Sequence, residues 1–146
     1  MSDGALNGQQ LQERLLQSPF NAFLNLEVVS ADSEKQEVII GIKMRAEFER
    51  LAGTGHWHGG PIAAAIDIVG DYALAMMLGN PLPTINLRVD YLRPGKGTLT
   101  LVARIRRSGK TVAVVDVDVV NAAGELVAIG RANYSTAPPA TQSKDL

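Results

Sequence analysis

The segment GTGHWHGGPIAAAIDIVGDYAL, Gly53 to Leu74, gathers both histidines of the chain, His56 and His58, ahead of an oily run that carries two carboxylates, Asp67 and Asp71. A carboxylate in apolar surroundings loses water, which raises its pKa and makes it a stronger base. So placed, it activates a water molecule or attacks a carbonyl carbon itself. The glycines ahead of Pro61 supply a second element. Backbone N–H groups at a helix start have no internal acceptor and sit at the positive end of the dipole. They polarise a carbonyl oxygen that is gaining negative charge. Side chains at Gly59 or Gly60 would block that approach. His-x-His spacing also suits a metal, with Asp67 or Asp71 as a carboxylate ligand, but spacing places no third ligand, and no metal site is expected.

The elements that must hold these groups are readable from periodicity. Pro61 to Leu78 forms a helix with Pro61 at its first position, where a missing N–H costs nothing, and Gly79-Asn80-Pro81 stops it. Ile62, Ala65, Ile66, Val69 and Ala73 make one apolar stripe, and Ala63, Ala64, Ile68, Ala75 and Met76 fill the other sides, so the helix is buried nearly all round. Gln9–Gln17 is a shorter amphipathic helix ended by Ser18-Pro19. Leu24–Asp32 and Gln36–Met44 read as strands about a polar turn. Four more strands follow, over Thr84–Leu92, Thr98–Arg107, Thr111–Val120 and Glu125–Ser135. Val115, Val117 and Val119 alternate with Asp116 and Asp118, which makes one face packed and one wet, as in an antiparallel sheet. Such a sheet covers the helix on one side, and a second subunit is the expected cover for the rest. Residues 1–23 are expected to form an N-terminal segment, 24–136 the domain, and 137–146 a disordered tail.

Composition narrows the chemistry. There is no cysteine, which excludes disulfides, thiolate zinc sites and a cysteine nucleophile. The net charge of -1 speaks against a long polyanion as partner, so no nucleic acid is expected. Asp67, Gly70 and Asp71 interrupt the longest apolar stretch, and the N-terminus lacks a basic run followed by an apolar one. The expectation is a cytoplasmic protein with no membrane partner.

Four blocks then carry a resemblance. They are His58-Gly59-Gly60 with Asp67 nine residues after the histidine, TINLRVDYLRP from Thr84, RRSGKTVAVVDVDV from Arg106, and GELVAIGRANY from Gly124. In this order, over Leu24 to Ser135, the chain resembles hotdog-fold acyl-CoA thioesterases of the phenylacetic-acid-degradation (PaaI-like) type. The resemblance implies an α+β hotdog fold, an antiparallel β-sheet wrapped around a long central helix. It implies hydrolysis of an acyl-CoA to free acid and CoA with no cofactor, coenzyme A entering as part of the substrate. It further implies a homodimer or a dimer-of-dimers tetramer with the site between subunits. Asp67 matches the family's base or nucleophile, Gly60 the backbone donor to the carbonyl, His58 a positioning residue, and Thr84 a hydroxyl that holds water. Gly59 would border the substrate. Arg93 and the turn residues Arg107, Ser108, Gly109 and Lys110 would face the CoA phosphates.

Two positions depart from the pattern. Asp71 stands where relatives have a small residue; it tunes Asp67, binds a polar substrate group or pairs across the interface. Ala52 stands where relatives often have an asparagine, with Glu49 or Arg50 close enough to compensate. Trp57 lines the acyl pocket or packs at an interface. The alternatives are a hotdog enoyl-CoA hydratase or dehydratase using His58 and Asp71, and a non-catalytic acyl-CoA-binding hotdog module.

Overall fold

A computed structural model describes residues 4–139, so most of the tail expected to be disordered lies outside the described residues. Asn7 caps α1 (Gly8–Leu15) in a reciprocal box, its side chain taking the N–H of Gln10 while the Gln10 side chain takes the N–H of Asn7. Ser18-Pro19 ends this helix region but also starts another, which the sequence reading missed. Ser18 is a good N-cap and Pro19 suits a first turn, giving α2 (Pro19–Leu24). The strand expected from Leu24 therefore begins later. Asn25 takes the left-handed conformation that closes α2, and β1 spans Glu27–Asp32.

The remaining elements are β2 (Glu37–Ile42), a 3-10 turn at Ala46–Phe48, α3 (Gly59–Leu78), β3 (Thr84–Tyr91), β4 (Leu99–Ser108), β5 (Val112–Asn121) and β6 (Leu126–Ser135). All six strands form one antiparallel sheet in the order β1-β2-β4-β5-β6-β3. The long helix packs on one face of it, which is the α+β hotdog arrangement. Val38, Ile40 and Ile42, Leu99, Leu101 and Ala103, and Val115, Val117 and Val119 are buried beneath α3. The alternate residues form a charged outer face. There Arg131 makes two bonds to Asp116 (2.6 and 2.8 Å), holding its carboxyl below the usual range, and Arg104 meets Glu37 at 2.8 Å. Exposed pairs of this kind order a surface more than they stabilise it.

Pro61 is not the first residue of α3. His58 caps the helix, which adds Gly59 and Gly60 to its first turn. The helix is long and apolar enough to cross a membrane, but here it is the core helix, largely buried by the sheet and the N-terminal helices. Leu11 and Leu15 join its core, and Leu6 N–H donates to Met76 C=O at 2.9 Å.

What seats α3 so low is β6. Its inward residues are Ala128, Gly130, Ala132 and Tyr134, all small except the last. A Cβ on Gly130 would stand 2.5 Å from Ile66 Cγ2. A Cβ on Gly70 would stand 2.4 Å from the Tyr134 hydroxyl, which instead reaches the helix and donates to Asp67 C=O at 2.6 Å. Gly130→Ala is therefore expected to destabilise the protein by about 1–3 kcal/mol, because the fully buried Ile66 has nowhere to go. Thermal unfolding measures this; an unchanged or raised melting temperature would mean that α3 does not sit on Gly130.

Candidate active site

The first turn of α3 is built around one peptide group. His58 is extended (φ -66°, ψ 145°), and its Nδ1 accepts the N–H of Gly60 at 3.1 Å. Tyr91, at the end of β3, donates its hydroxyl to Gly59 C=O at 2.6 Å. The Gly59–Gly60 peptide is thus held at both ends. A Cβ on Gly59 would lie 3.2 Å from the Tyr91 ring, so glycine is what lets the tyrosine close on the turn. The N–H of Gly59 itself donates to no group among the described residues. It is the unpaired donor at the positive end of the helix, whereas Gly60, the expected donor, is already capped.

Beside this turn opens a cleft of about 540 Å³, lined by Trp57, Ile62, Tyr91 and Leu92 with Arg50 and Arg93 among its polar groups. Trp57 is buried, stacks on Phe48 with centroids 5.3 Å apart, and donates Nε1–H to Gly97 C=O at 2.6 Å. The loop that delivers His58 is braced by Glu49, whose carboxylate accepts the N–H of Gly55 at 2.7 Å. Ala52 is exposed on that loop. His56 is exposed as well, and among the described residues no three His, Asp or Glu side chains converge as metal ligands.

Asp67 lies two turns along α3. Its Oδ1 accepts the hydroxyl of Thr84 at 2.7 Å, its Oδ2 accepts nothing from the described residues, and its main-chain carbonyl takes the Tyr134 hydroxyl. Thr84 is placed by its pairing with Tyr134 at the start of β3. The Tyr134 phenol is pushed up, by burial first and then by the charges of Asp67 and Asp71, so it stays a donor. Asp71, one turn further on and half-buried, accepts the N–H of Leu82 at 2.7 Å. Burial pushes its carboxyl up to about 7, opposed by the Leu82 bond and reinforced by the charge of Asp67.

The basic turn between β4 and β5 carries Arg107, Ser108, Gly109 and Lys110, with both cationic residues exposed. It is tied to the Thr84 end of β3. Thr136 donates its N–H to Thr111 C=O and its hydroxyl to Gly109 C=O, and the neighbouring Ser135 N–H bonds to Pro83 C=O. Arg93 lies at the other end and pairs with Glu125. The predicted residues thus fall into two groups. His58, Gly59, Gly60 and Arg93 gather at the start of α3; Asp67, Asp71, Thr84 and the basic turn gather at its middle. Gly60 and Asp67 are about 10 Å apart along the helix axis, from a rise of 1.5 Å per residue. Attack on a carbonyl needs roughly 3–3.5 Å between reacting atoms. A single chain therefore does not bring both groups to one carbon.

Sequence reasoning missed Tyr91 and Tyr134. A tyrosine in an alternating strand reads as packing, and only the facing glycines, Gly59 and Gly70, hint that its hydroxyl approaches a backbone.

A sequence model of the thioesterase superfamily matches residues 54–128. The medium/long-chain acyl-CoA thioesterase YigI of Escherichia coli is 30% identical over 138 residues, covering 80% of this chain and 84% of that protein. The crystal structure of zebra fish thioesterase superfamily member 2 superposes with a TM-score of 0.79 at 26% identity, covering 90% and 99% of the two chains. The E. coli PaaI protein of the phenylacetic acid degradation operon shares the fold, with a TM-score of 0.74 at 24% identity over 89% and 95%.

Asp71 gives a stability signature. Between about pH 4 and 7 the folded chain holds a proton that the unfolded chain releases, so stability falls as pH rises through that window. Asp71→Asn removes this loss. It is expected to melt above wild type at pH 8, by a few kcal/mol at most, on the order of 1.4 kcal/mol per pKa unit, with the gap closing towards pH 5. Parallel melts at both pH values measure it; a gap that widens on acidification would contradict the assignment.

Proposed function

The chain belongs to the thioesterase superfamily and is a thioester hydrolase, and from this premise we propose that it cleaves acyl-CoA at a site that two copies build together. The observation that carries the proposal is the separation of the two halves along α3. The half-site at Asp67 lacks a carbonyl donor, and the half-site at Gly59 lacks a base. A two-fold partner with its α3 antiparallel to the first supplies each with the other. The face left open by the sheet supports this arrangement. Pro61, Ala64, Asp67, Ile68 and Asp71 on α3 are half-buried only, β3 is a sheet edge, and its Ile85 and Tyr91 are about half exposed (54% and 52%). Unpaired edge strands and exposed apolar side chains together favour self-association.

The chemistry follows from hydrogen-bond inventory. Thr84 gives its hydroxyl hydrogen to Asp67 Oδ1, so its oxygen has only lone pairs left to offer. A water between Thr84 Oγ1 and Asp67 Oδ2 meets two acceptors for its hydrogens and turns a lone pair outward. Asp67 takes the proton as the water oxygen attacks the thioester carbon. The developing oxyanion lies against the N–H of Gly59 in the partner, with Gly60 capped beside it and the helix dipole behind. Collapse breaks the carbon–sulfur bond, Asp67 returns its proton to the leaving sulfur, and CoA thiol and the carboxylic acid depart with the Asp67 carboxylate restored. The basic turn Arg107–Lys110 sits on the Asp67 side, where it would meet the CoA phosphates. The cleft along Trp57, Ile62 and Leu92 would hold an apolar acyl chain. The names of the relatives support acyl-CoA as the substrate class. This reading takes residues 24–136 as the catalytic unit, uses no cofactor, and places the enzyme in the cytoplasm as a homodimer or a tetramer of two dimers.

Asp67→Asn and Asp67→Ala are expected to lower thiol release from acyl-CoA by roughly a hundredfold or more while CoA binding persists. Gly59→Pro removes the unpaired N–H at a helix position proline tolerates, while its ring also presses on Tyr91, and it is expected to be inactive too. Mixing Asp67→Asn with Gly59→Pro subunits then restores about a quarter of wild-type turnover, because half the dimers are mixed and each has one intact site. Full activity of Asp67→Asn, or no recovery on mixing after verified subunit exchange, would refute the shared site.

A further inference from the structure

Two carboxylates one turn apart on α3 grip the same short connection. Asp67 takes the hydroxyl of Thr84, and Asp71 takes the main-chain N–H of Leu82. We infer that Asp71 is a positioning residue: it fixes Leu82, and through the rigid step across Pro83 it sets the Thr84 hydroxyl on Asp67. This rests on the hydrolytic reading above.

The connection Gly79–Pro83 is pinned from three sides. Arg14 of α1 donates to Gly79 C=O at 2.7 Å and to the side chain of Asn80 at 3.1 Å. Ser135 at the end of β6 donates its N–H to Pro83 C=O at 2.8 Å. Leu82 stands between two prolines, Pro81 and Pro83, and precedes β3, so its N–H has no strand partner. Asp71 is its acceptor. Proline fixes the backbone torsion at 83, so holding the amide at 82 leaves little freedom for the side chain at 84. Without the clamp, the connection keeps only the bond from Ser135 to Pro83 C=O next to Thr84, the first residue of an edge strand whose pairing with β6 is already irregular between Thr84 and Asn86.

The price of the clamp identifies it as deliberate. Asp71 is half-buried, a turn from another carboxylate, and no ion pair joins it to a cation among the described residues. The groups facing it are Asp67 on its own helix, the Tyr134 hydroxyl from β6, and Tyr72 beside it, with Arg14 of α1 the cation at the far end of the connection. A substrate contact or an interface pair would leave both oxygens for an outside group; here one already serves the chain itself. Protonation does not break the clamp, since a neutral carboxyl still accepts through its carbonyl oxygen. Only the charge beside Asp67 changes, and that occurs near pH 7.

The test compares Asp71→Asn, which keeps an acceptor, with Asp71→Ala, which does not. Asp71→Asn is expected to retain most of kcat; Asp71→Ala loses about tenfold or more in kcat with KM nearly unchanged, as for a misplaced catalytic group. The wild-type kcat–pH profile carries a step near pH 7 that Asp71→Asn lacks. Hydrogen exchange at the Leu82 amide is slow in wild type and Asp71→Asn and fast in Asp71→Ala, and the Thr84 χ1 couplings report one rotamer in the first two and averaging in the third. Equal losses in both variants, or a protected Leu82 amide in Asp71→Ala, would overturn the inference. A wild-type protein that releases no thiol would instead sink the hydrolytic reading, while the exchange and coupling data still decide whether Asp71 holds Thr84.

Discussion

The structure depends on how closely α3 approaches β6. Two missing Cβ atoms, at Gly70 on the helix and Gly130 on the strand, set that distance. Ordinary side chains there would lift the helix and withdraw the Tyr134 hydroxyl from Asp67 C=O. The consequence reaches the site through β-pairing rather than through a chain of side chains. Tyr134 is the register partner of Thr84, and Thr84 is the partner of the Asp67 carboxylate. One tyrosine therefore fixes the main chain of the acidic residue and, across the strand pair, the origin of its hydroxyl partner. An apolar helix has few polar handles by which to be oriented, and this one is oriented at Asp67.

The same helix explains why, in the proposed two-copy site, a lone subunit would be incomplete. A helix delivers its N–H groups only at its first turn, and a side chain at position 67 cannot return there. Moving the acid into the first turn would bring it to the amides, but it would also neutralise the dipole that should stabilise an oxyanion. Separation of the two proposed functions along one helix, with recombination by symmetry in the proposed dimer, would keep the positive end free of the chain's own negative charge. The open face of α3 and the unpaired edge of β3 are the surfaces on which the proposed recombination would take place.

Much of this was legible in the sequence, and the failures have physical reasons. The strand alternation in Val115–Val119 and the all-round apolarity of the central helix report burial directly, so the sheet and core helix were readable. The spacing from His58 to Asp67 was readable because the resemblance preserves it. The start of α3 was placed two residues late, since proline signals a first turn but does not say which position in it; the cap belonged to His58. The short α2 was absorbed into a strand and a stop signal, because six residues hold too little periodicity to identify a helix. Partners of single backbone groups, such as Leu82 N–H for Asp71 or Gly59 C=O for Tyr91, leave no trace in composition or period at all. They depend on which turn meets which strand end, and that is known only once the chain is folded.

The cap on α3 also discriminates between reactions. His58 Nδ1 accepts a hydrogen bond from Gly60, so the proton of the neutral ring resides on Nε2. The ring then carries a donor at Nε2 and has no free lone pair with which to remove a proton from an acyl-CoA. A hydratase built on His58 and Asp71 needs that lone pair, and its carboxylate is bound to Leu82. A thioesterase needs the opposite, a donor near the carbonyl and a base elsewhere. Asp67, with a free Oδ2 beside a hydroxyl oxygen that can only accept, is the base in the proposed reaction. A module that merely binds acyl-CoA has no use for such an oxygen, because an unpaired carboxylate facing a bound thioester repels the carbonyl it meets; a water placed between the two would make the arrangement favourable, and in the proposed reaction that water is the attacking group.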